Sequence, residues 1–246
     1  TGDERTKTMS ELQTKYDSER KEAQVKQLQI DNLNSELRLL KSQMNPHFMF
    51  NAIGSVSNLM QSGRVDEAQD SLRKFSRLMR STLEQSQGDD ILLEDEIDFL
   101  ENYLHLEKLI LGDNFSFTIT VDDSIDVTYE RIPSLILQPI VENALKHGLR
   151  TKQGEQKLNI EFTMEDNDEQ TIMQITIEDN GIGRKASAEL NKDRKQHQSF
   201  ATKSIDDRIK IINTSAGSEK MKMETMDVME DNVVLGTKVQ LSIIQG

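Results

Sequence analysis

The hydrophobic period of this 246-residue chain switches from helical to alternating at Gly112-Asp113-Asn114, and few features constrain a fold more. Before that point the apolar residues recur every three or four positions, as a helix facing a partner requires. After it, Phe115, Phe117, Ile119 and Val121 alternate with Ser116, Thr118 and Thr120, as in a half-buried strand. A pattern of one period cannot bury its apolar set in the other geometry. The chain therefore reads as a helical first half joined to an α/β second half.

In the first half, Leu12, Tyr16, Glu19, Ala23, Lys26, Ile30, Leu33, Leu37, Leu40 and Met44 fall at strict 4-3 spacing, and eight of these ten are apolar or aromatic. Such a seam predicts a parallel coiled coil and hence a homodimer, although Glu19 and Lys26 interrupt its N-terminal part. A single helix packed on its own domain is the alternative. Pro46 cannot donate to the Ser42 carbonyl, so the helix is expected to kink or re-phase there. It then runs to about Gln61, where Ser62-Gly63 can end it. Asp66 is placed to cap a second helix carrying Ala68, Leu72, Phe75, Leu78, Met79 and Leu83. Two such helices make an antiparallel hairpin, and a dimer of hairpins makes a four-helix bundle. A third helix is expected from about Glu94 to Leu111.

In the second half, Pro133 is expected to open a helix through about His147, with Gly148 as its stop. Two alternating strands follow at Leu158–Met164 and Met173–Ile177, joined by an acidic hairpin loop. Residues 184–203 are highly polar, Ile205–Asn213 reads as a helix, and strands at about Met221–Val228 and Leu235–Ile244 close the chain.

Composition narrows the function. Thirty basic against 43 acidic residues leave a net charge of −13, which disfavours nucleic acid or an anionic membrane as partner. No cysteine occurs, so disulfides and thiolate metal sites are ruled out. No apolar run approaches the roughly 20 residues a spanning helix needs. The opening Thr1-Gly2-Asp3 runs straight into helix-forming sequence, from which we expect a fragment with sensor or membrane segments upstream.

Three clusters could carry chemistry. His47, Asn51, Gly54 and Asn58 share one narrow helical face, while Phe48, Met49, Ala52, Ile53, Val56, Leu59 and Met60 must point towards a partner. Asn143, Lys146 and His147, after Glu142, present an amide oxygen, an ammonium and an imidazole on another helix, suited to Mg²⁺ and phosphate oxygens. Asp179-Asn180-Gly181-Ile182-Gly183 ends a strand, where glycines permit close ligand approach and Asp179 can accept from an amino group. Each cluster alone has a plain structural explanation; the occurrence of the second and third together points to a nucleotide pocket.

At these residues the sequence resembles a known family. Gln43-Met44-Asn45-Pro46-His47-Phe48-Met49-Phe50-Asn51 resembles the phosphoacceptor motif of LytS-like sensor histidine kinases, and Leu137-Gln138-Pro139-Ile140-Val141-Glu142-Asn143-Ala144-Leu145-Lys146-His147-Gly148 resembles their N box. Asp179-Asn180-Gly181-Ile182-Gly183 is similar to the G1 box of the ATP-binding superfamily shared with gyrase, Hsp90 and MutL. Leu235-Gly236-Thr237 resembles its final Gly-Thr element, and Leu93 to Glu107 the helix linking the two halves. The resemblance covers about Leu37 to the C-terminus. Beside the coiled-coil signalling helix read from the spacing over 1–45, it implies dimerisation and phosphotransfer helices over 46–111, and a Bergerat-type α/β sandwich binding ATP over 112–246.

The resemblance further implies that His47 accepts the γ-phosphoryl group of ATP and that Asn143 ligates Mg²⁺. Asp179 would bind the adenine amino group, with Gly181 and Gly183 shaping the pocket and Thr237 near the adenine. Lys146 and His147 would lie near the phosphates. Asn51, one turn from His47, is a candidate orienting residue, and Lys203 and Arg208 are candidate phosphate cations. The implied partners are a second copy and a response-regulator receiver domain, and the implied setting is the cytoplasm, as the inner part of a membrane sensor. Phe48 follows His47, as the family expects, leaving the general base unassigned. Lys108-Leu109-Ile110-Leu111 lacks an arginine the family often has. In Ser199-Phe200-Ala201-Thr202-Lys203, alanine replaces a usual glycine; a positive φ there would strain the lid by roughly 1–2 kcal/mol. Two other classes stay open: a degenerate kinase acting as a dimeric nucleotide-binding scaffold, and an ATPase switch of the Hsp90 or MutL kind.

Overall fold

The structure is a computed structural model describing residues 20–21, 46–85, 90–166, 170–190, 195–231 and 233–245, with the backbone alone for 46–47, 83–85 and 195–204. The coiled-coil seam from Leu12 to Met44 and the expected bend at Pro46 lie outside the described residues. The chain divides into two compact units, Thr1–Met49 and Phe50–Gly246. In the first, Arg20 and Lys21 are helical, and Pro46 to Met49 begin helix α1 (Pro46–Gln61).

The second unit follows the periods of the sequence. After α1, Gly63 takes φ +76 in a tight turn, and the Arg64 amide bonds back to the Leu59 carbonyl at 2.9 Å. Helix α2 (Val65–Gln85) then starts one residue before Asp66, which lies inside the first turn beside Glu67 instead of capping it. Both carboxylates still face the positive end of the helix dipole. Strand β1 (Asp90–Leu92) leads into α3 (Leu93–Leu111). Val56 and Leu59 of α1 and Ala68 of α2 form a small core, with Leu109 of α3 packed on it. Ala52, Val56 and Leu59 are buried as inward positions, whereas Phe50, Ile53, Met60 and Leu72 remain exposed.

After α3 come β2 (Phe115–Val121), β3 (Arg131–Pro133) and α4 (Gln138–Asn143), which continues as a π-helical segment, Ala144–Leu149. Then follow β4 (Gln156–Asp166), β5 (Thr171–Asp179), α5 (Arg184–Leu190), α6 (Lys195–Ala216), β6 (Met221–Glu230) and β7 (Val233–Gln245). The five-stranded sheet has the order β2-β4-β5-β7-β6, parallel only between β2 and β4. Along β4, Leu158, Ile160 and Phe162 are buried and Lys157, Asn159 and Glu161 exposed, so one face packs and the other meets solvent. The packed face meets Ile140, Val141, Leu145 and Leu149 in a two-layer sandwich. This matches the expected architecture of helices followed by an α/β domain.

Three local expectations change. Pro133 does not open a helix; it ends β3 and pairs with Asp90 in a small antiparallel sheet with β1. The first-turn proline of α4 is Pro139. The helix expected at Ile205–Asn213 is longer, Lys195–Ala216, and α5 forms ahead of it within the polar stretch.

Candidate functional site

A cleft of about 360 Å³ lies between α4 with its π-helical extension and the packed face of the sheet. Its floor follows the strand register. Ile177 of β5, Val239 of β7 and Thr225 of β6 form one rung, and all three line the cleft. Directly paired residues carry their side chains on the same face. Asp179 and Thr237 form the next rung and also line it. Above this floor stand Ile140, Asn143, Ala144, His147 and Gly148; Ser187 and Ala188 of α5 and Ile205 of α6 close the remaining side.

Asp179 is 5% exposed, and its Oδ1 accepts the Gly181 N–H at 2.8 Å. Burial pushes its carboxyl up to about 6, against the Gly181 and Thr237 amides and the Lys152 ammonium, which favour the charged form. Glycines hem this carboxylate in. A Cβ on Gly148 would fall 2.5 Å from Asp179 Oδ1. One on Gly181 would overlap the Gly148 backbone, and one on Gly236 would overlap the Asp179 carbonyl. No side chain fits between these backbones. Gly183 differs: its φ of +77 turns the chain into α5, and a Cβ there would strike Val234. Asn180 faces away and staples the turn, accepting the Lys157 N–H at 2.7 Å and donating to the Glu155 carbonyl at 3.2 Å.

The π-helical segment changes how the N-box residues are presented. An α-helical spacing was expected to place Asn143, Lys146 and His147 on one face. The wider turn keeps Asn143 and His147 in the cleft, whereas the Lys146 ammonium pairs with Glu142 at 3.1 Å and does not line it. Burial, then the Lys146 charge, lowers the His147 pKa below its ordinary 6.5, so the imidazole is neutral at pH 7. Arg208 is also turned away from the cleft; it donates to Ser134 Oγ at 3.3 Å. Ala201 lies inside α6 with a helical backbone, so the strain of a positive φ does not arise. The side chains of His47 and Lys203 lie outside the described residues. Asn51 is half-buried on α1 and is not among the residues lining the cleft.

The site therefore brings together Asn143, His147, Asp179, Gly183 and Thr237, with Gly181 behind Asp179. Sequence reasoning missed Arg184, Ser187, Met223 and Thr225, which also line the cleft. The alternation of Met221, Met223 and Thr225 along β6 was the signal available for two of them. For Mg²⁺ the protein offers the Asn143 amide oxygen at the cleft. That suits an ion that keeps several waters and is shared with substrate phosphates.

A family model described as "Histidine kinase" matches residues 35–115. The sensor protein LytS of Staphylococcus saprophyticus is 34% identical over 152 residues, covering 61% of this chain and 24% of that protein. The sensor histidine kinase YpdA of Escherichia coli is 30% identical over 149 residues, covering 61% of this chain and 25% of its own length. Over these residues the chain is similar to sensor histidine kinases. It spans about a quarter of the length of the curated relatives it matches. Among solved structures, one titled as a bacterial phosphotransferase covers 84% of this chain and 95% of its own at 16% identity, with a TM-score of 0.45. The catalytic domain of the histidine kinase ThkA covers 63% of this chain and 93% of its own at 20% identity, with a TM-score of 0.38. Among the described residues, no helix is long and apolar enough to cross a membrane.

Proposed function

We propose that this chain is the kinase core of a two-component sensor. In this reading, residues 1–45 carry the signal, 46–111 dimerise and hold the phosphoacceptor, and 112–246 bind ATP. The reading rests foremost on Asp179, a buried carboxylate acceptor walled by three glycines at the end of a largely apolar cleft. Such an arrangement excludes side chains from the space where a flat heterocycle can donate an amino N–H. Ile140, Ile177 and Val239 suit the faces of the base, and Asn143 and His147 are polar groups for the phosphate end.

In the chemical step, a neutral His47 ring nitrogen attacks the γ-phosphorus. The bond from that phosphorus to the bridging oxygen breaks, and ADP leaves with the electron pair. The imidazole proton passes to solvent or to a base not yet assigned. The phosphoryl group then moves to an aspartate carboxylate of a response regulator. Mg²⁺, held by Asn143 and the phosphates, would neutralise phosphate charge. The exposed apolar residues Phe50, Ile53 and Met60 of α1 and Leu72 of α2 support a homodimer built from the hairpin. Similarity to sensor proteins supports a cytoplasmic setting beneath a membrane sensor.

Incubating the chain with γ-labelled ATP and Mg²⁺ tests this. The label is expected to be acid-labile, base-stable and absent from His47→Gln. Equal labelling of both proteins overturns the assignment. ADP binding without any label instead supports the scaffold reading.

A further inference from the structure

The nucleotide reading leaves one feature of the cleft without a role. Arg184 follows the glycine turn, lines the cleft and reaches across to β6. There its Nε and Nη2 donate to the two carboxylate oxygens of Asp227 at 2.9 and 3.2 Å. Asp227 pairs in register with Thr237, which pairs with Asp179. These three residues form one rung on the cleft's face of the sheet, with the two acids two strand spacings apart, roughly 10 Å. Arg184 thus ties α5 to the far end of the rung whose near end is Asp179.

We propose that Arg184, braced by Asp227, forms the outer wall of the nucleobase subsite and holds α5 at the width a purine occupies; this deepens the nucleotide reading and rests on it. Two observations favour a base over phosphates as Arg184's neighbour. The Nε–Nη2 edge of its guanidinium is taken by Asp227, which offsets its charge and leaves its flat face for stacking. The floor beside it is Ile177, Val239, Met223 and Thr225, apolar or neutral throughout.

Calorimetry with ADP and with AMP, in the presence of Mg²⁺, on wild type, Asp227→Ala and Arg184→Lys provides the test. Asp227 does not line the cleft, so its effect on affinity can act only through Arg184. Arg184→Lys keeps the charge but loses the two-pronged bond. Arg184 is 51% and Asp227 28% exposed at the side chain, so both variants should fold, which circular dichroism checks. The expected result is a loss of about fivefold for each variant, the same for ADP as for AMP, with KM for ATP raised and kcat retained. Unchanged ADP affinity in both variants overturns the proposal while leaving the nucleotide site intact. A loss larger for ADP than for AMP overturns it too, by making Arg184 a phosphate cation. No ADP binding by folded wild type takes down the nucleotide reading and this proposal together.

Discussion

Replacing Glu96 by Gln should make the protein more stable at neutral pH, and the pH dependence of that gain identifies its cause. Glu96 lies in the first turn of α3, wholly buried, and neither carboxylate oxygen closes a hydrogen bond of normal geometry. Burial pushes its carboxyl from the ordinary 4.5 up to about 8, outweighing the Arg208 guanidinium and the Leu137 amide, which favour the charged form. In the folded chain the group therefore holds its proton to about pH 8, whereas in the unfolded chain it ionises near 4.5. Between those values the unfolded state binds fewer protons, and stability falls as pH rises by about 1.4 kcal/mol per unit. Asp179 contributes with the same sign only up to about pH 6. His105 and His147, both lowered by burial, lose stability only as pH falls below 6.5. The window from 6.5 to 8 thus isolates Glu96, and wild type should lose about 2 kcal/mol across it. Urea denaturation of wild type and Glu96→Gln at several pH values measures this. The glutamine variant should be flat over that window. A flat wild type, or equal slopes in both, would show that Glu96 is ionised in the fold and would refute the reasoning.

Two further outcomes follow from the packing. Gly236→Ala should cost about 3 kcal/mol and abolish ADP binding, because its Cβ meets the Asp179 backbone, which cannot yield. Gly54→Ala, on exposed α1 with open space around it, should instead stabilise by about 1 kcal/mol. Thermal melts with and without ADP separate the two. Glu107, 1% exposed, binds Arg150 at 2.8 Å and accepts from the Tyr103 hydroxyl at 3.1 Å, joining α3 to the end of the π-helical segment. Glu107→Ala should cost about 3 kcal/mol by stranding the guanidinium, and Glu107→Leu with Arg150→Met should recover most of it in urea denaturation.

Where one element repeats one period, its sequence was readable. Helices α1 to α3 follow from apolar spacing, and β2, β4, β5, β6 and β7 from alternation. Pro133 misled because a proline suits a helix's first turn and a short edge strand equally, and its partner β1 is too short to show a period. The parallel pairing of β2 with β4 depends on what is folded between them, which no local pattern encodes. At the site, Asp179 and Gly181 stood out because a strand-end Asp-Asn-Gly-x-Gly run permits close backbone approach, whereas Gly148, which also packs on Asp179, reads locally as a helix stop. Lys146 and Arg208 were not legible, since a cation's direction depends on which acceptor tertiary packing brings near; here Glu142 and Ser134 take them. Arg184 and Thr225 became neighbours of the cleft only when α5 and β6 closed around it.

The central claim is that a nucleotide occupies the cleft between α4 and the sheet. Hydrogen exchange on the whole chain, with and without ADP and Mg²⁺, tests it directly. Amide protection should rise around residues 143–148, 179–187 and 237–239, and stay unchanged on the solvent face of the hairpin. Protection confined to other segments, or none at saturating ADP, would contradict the account.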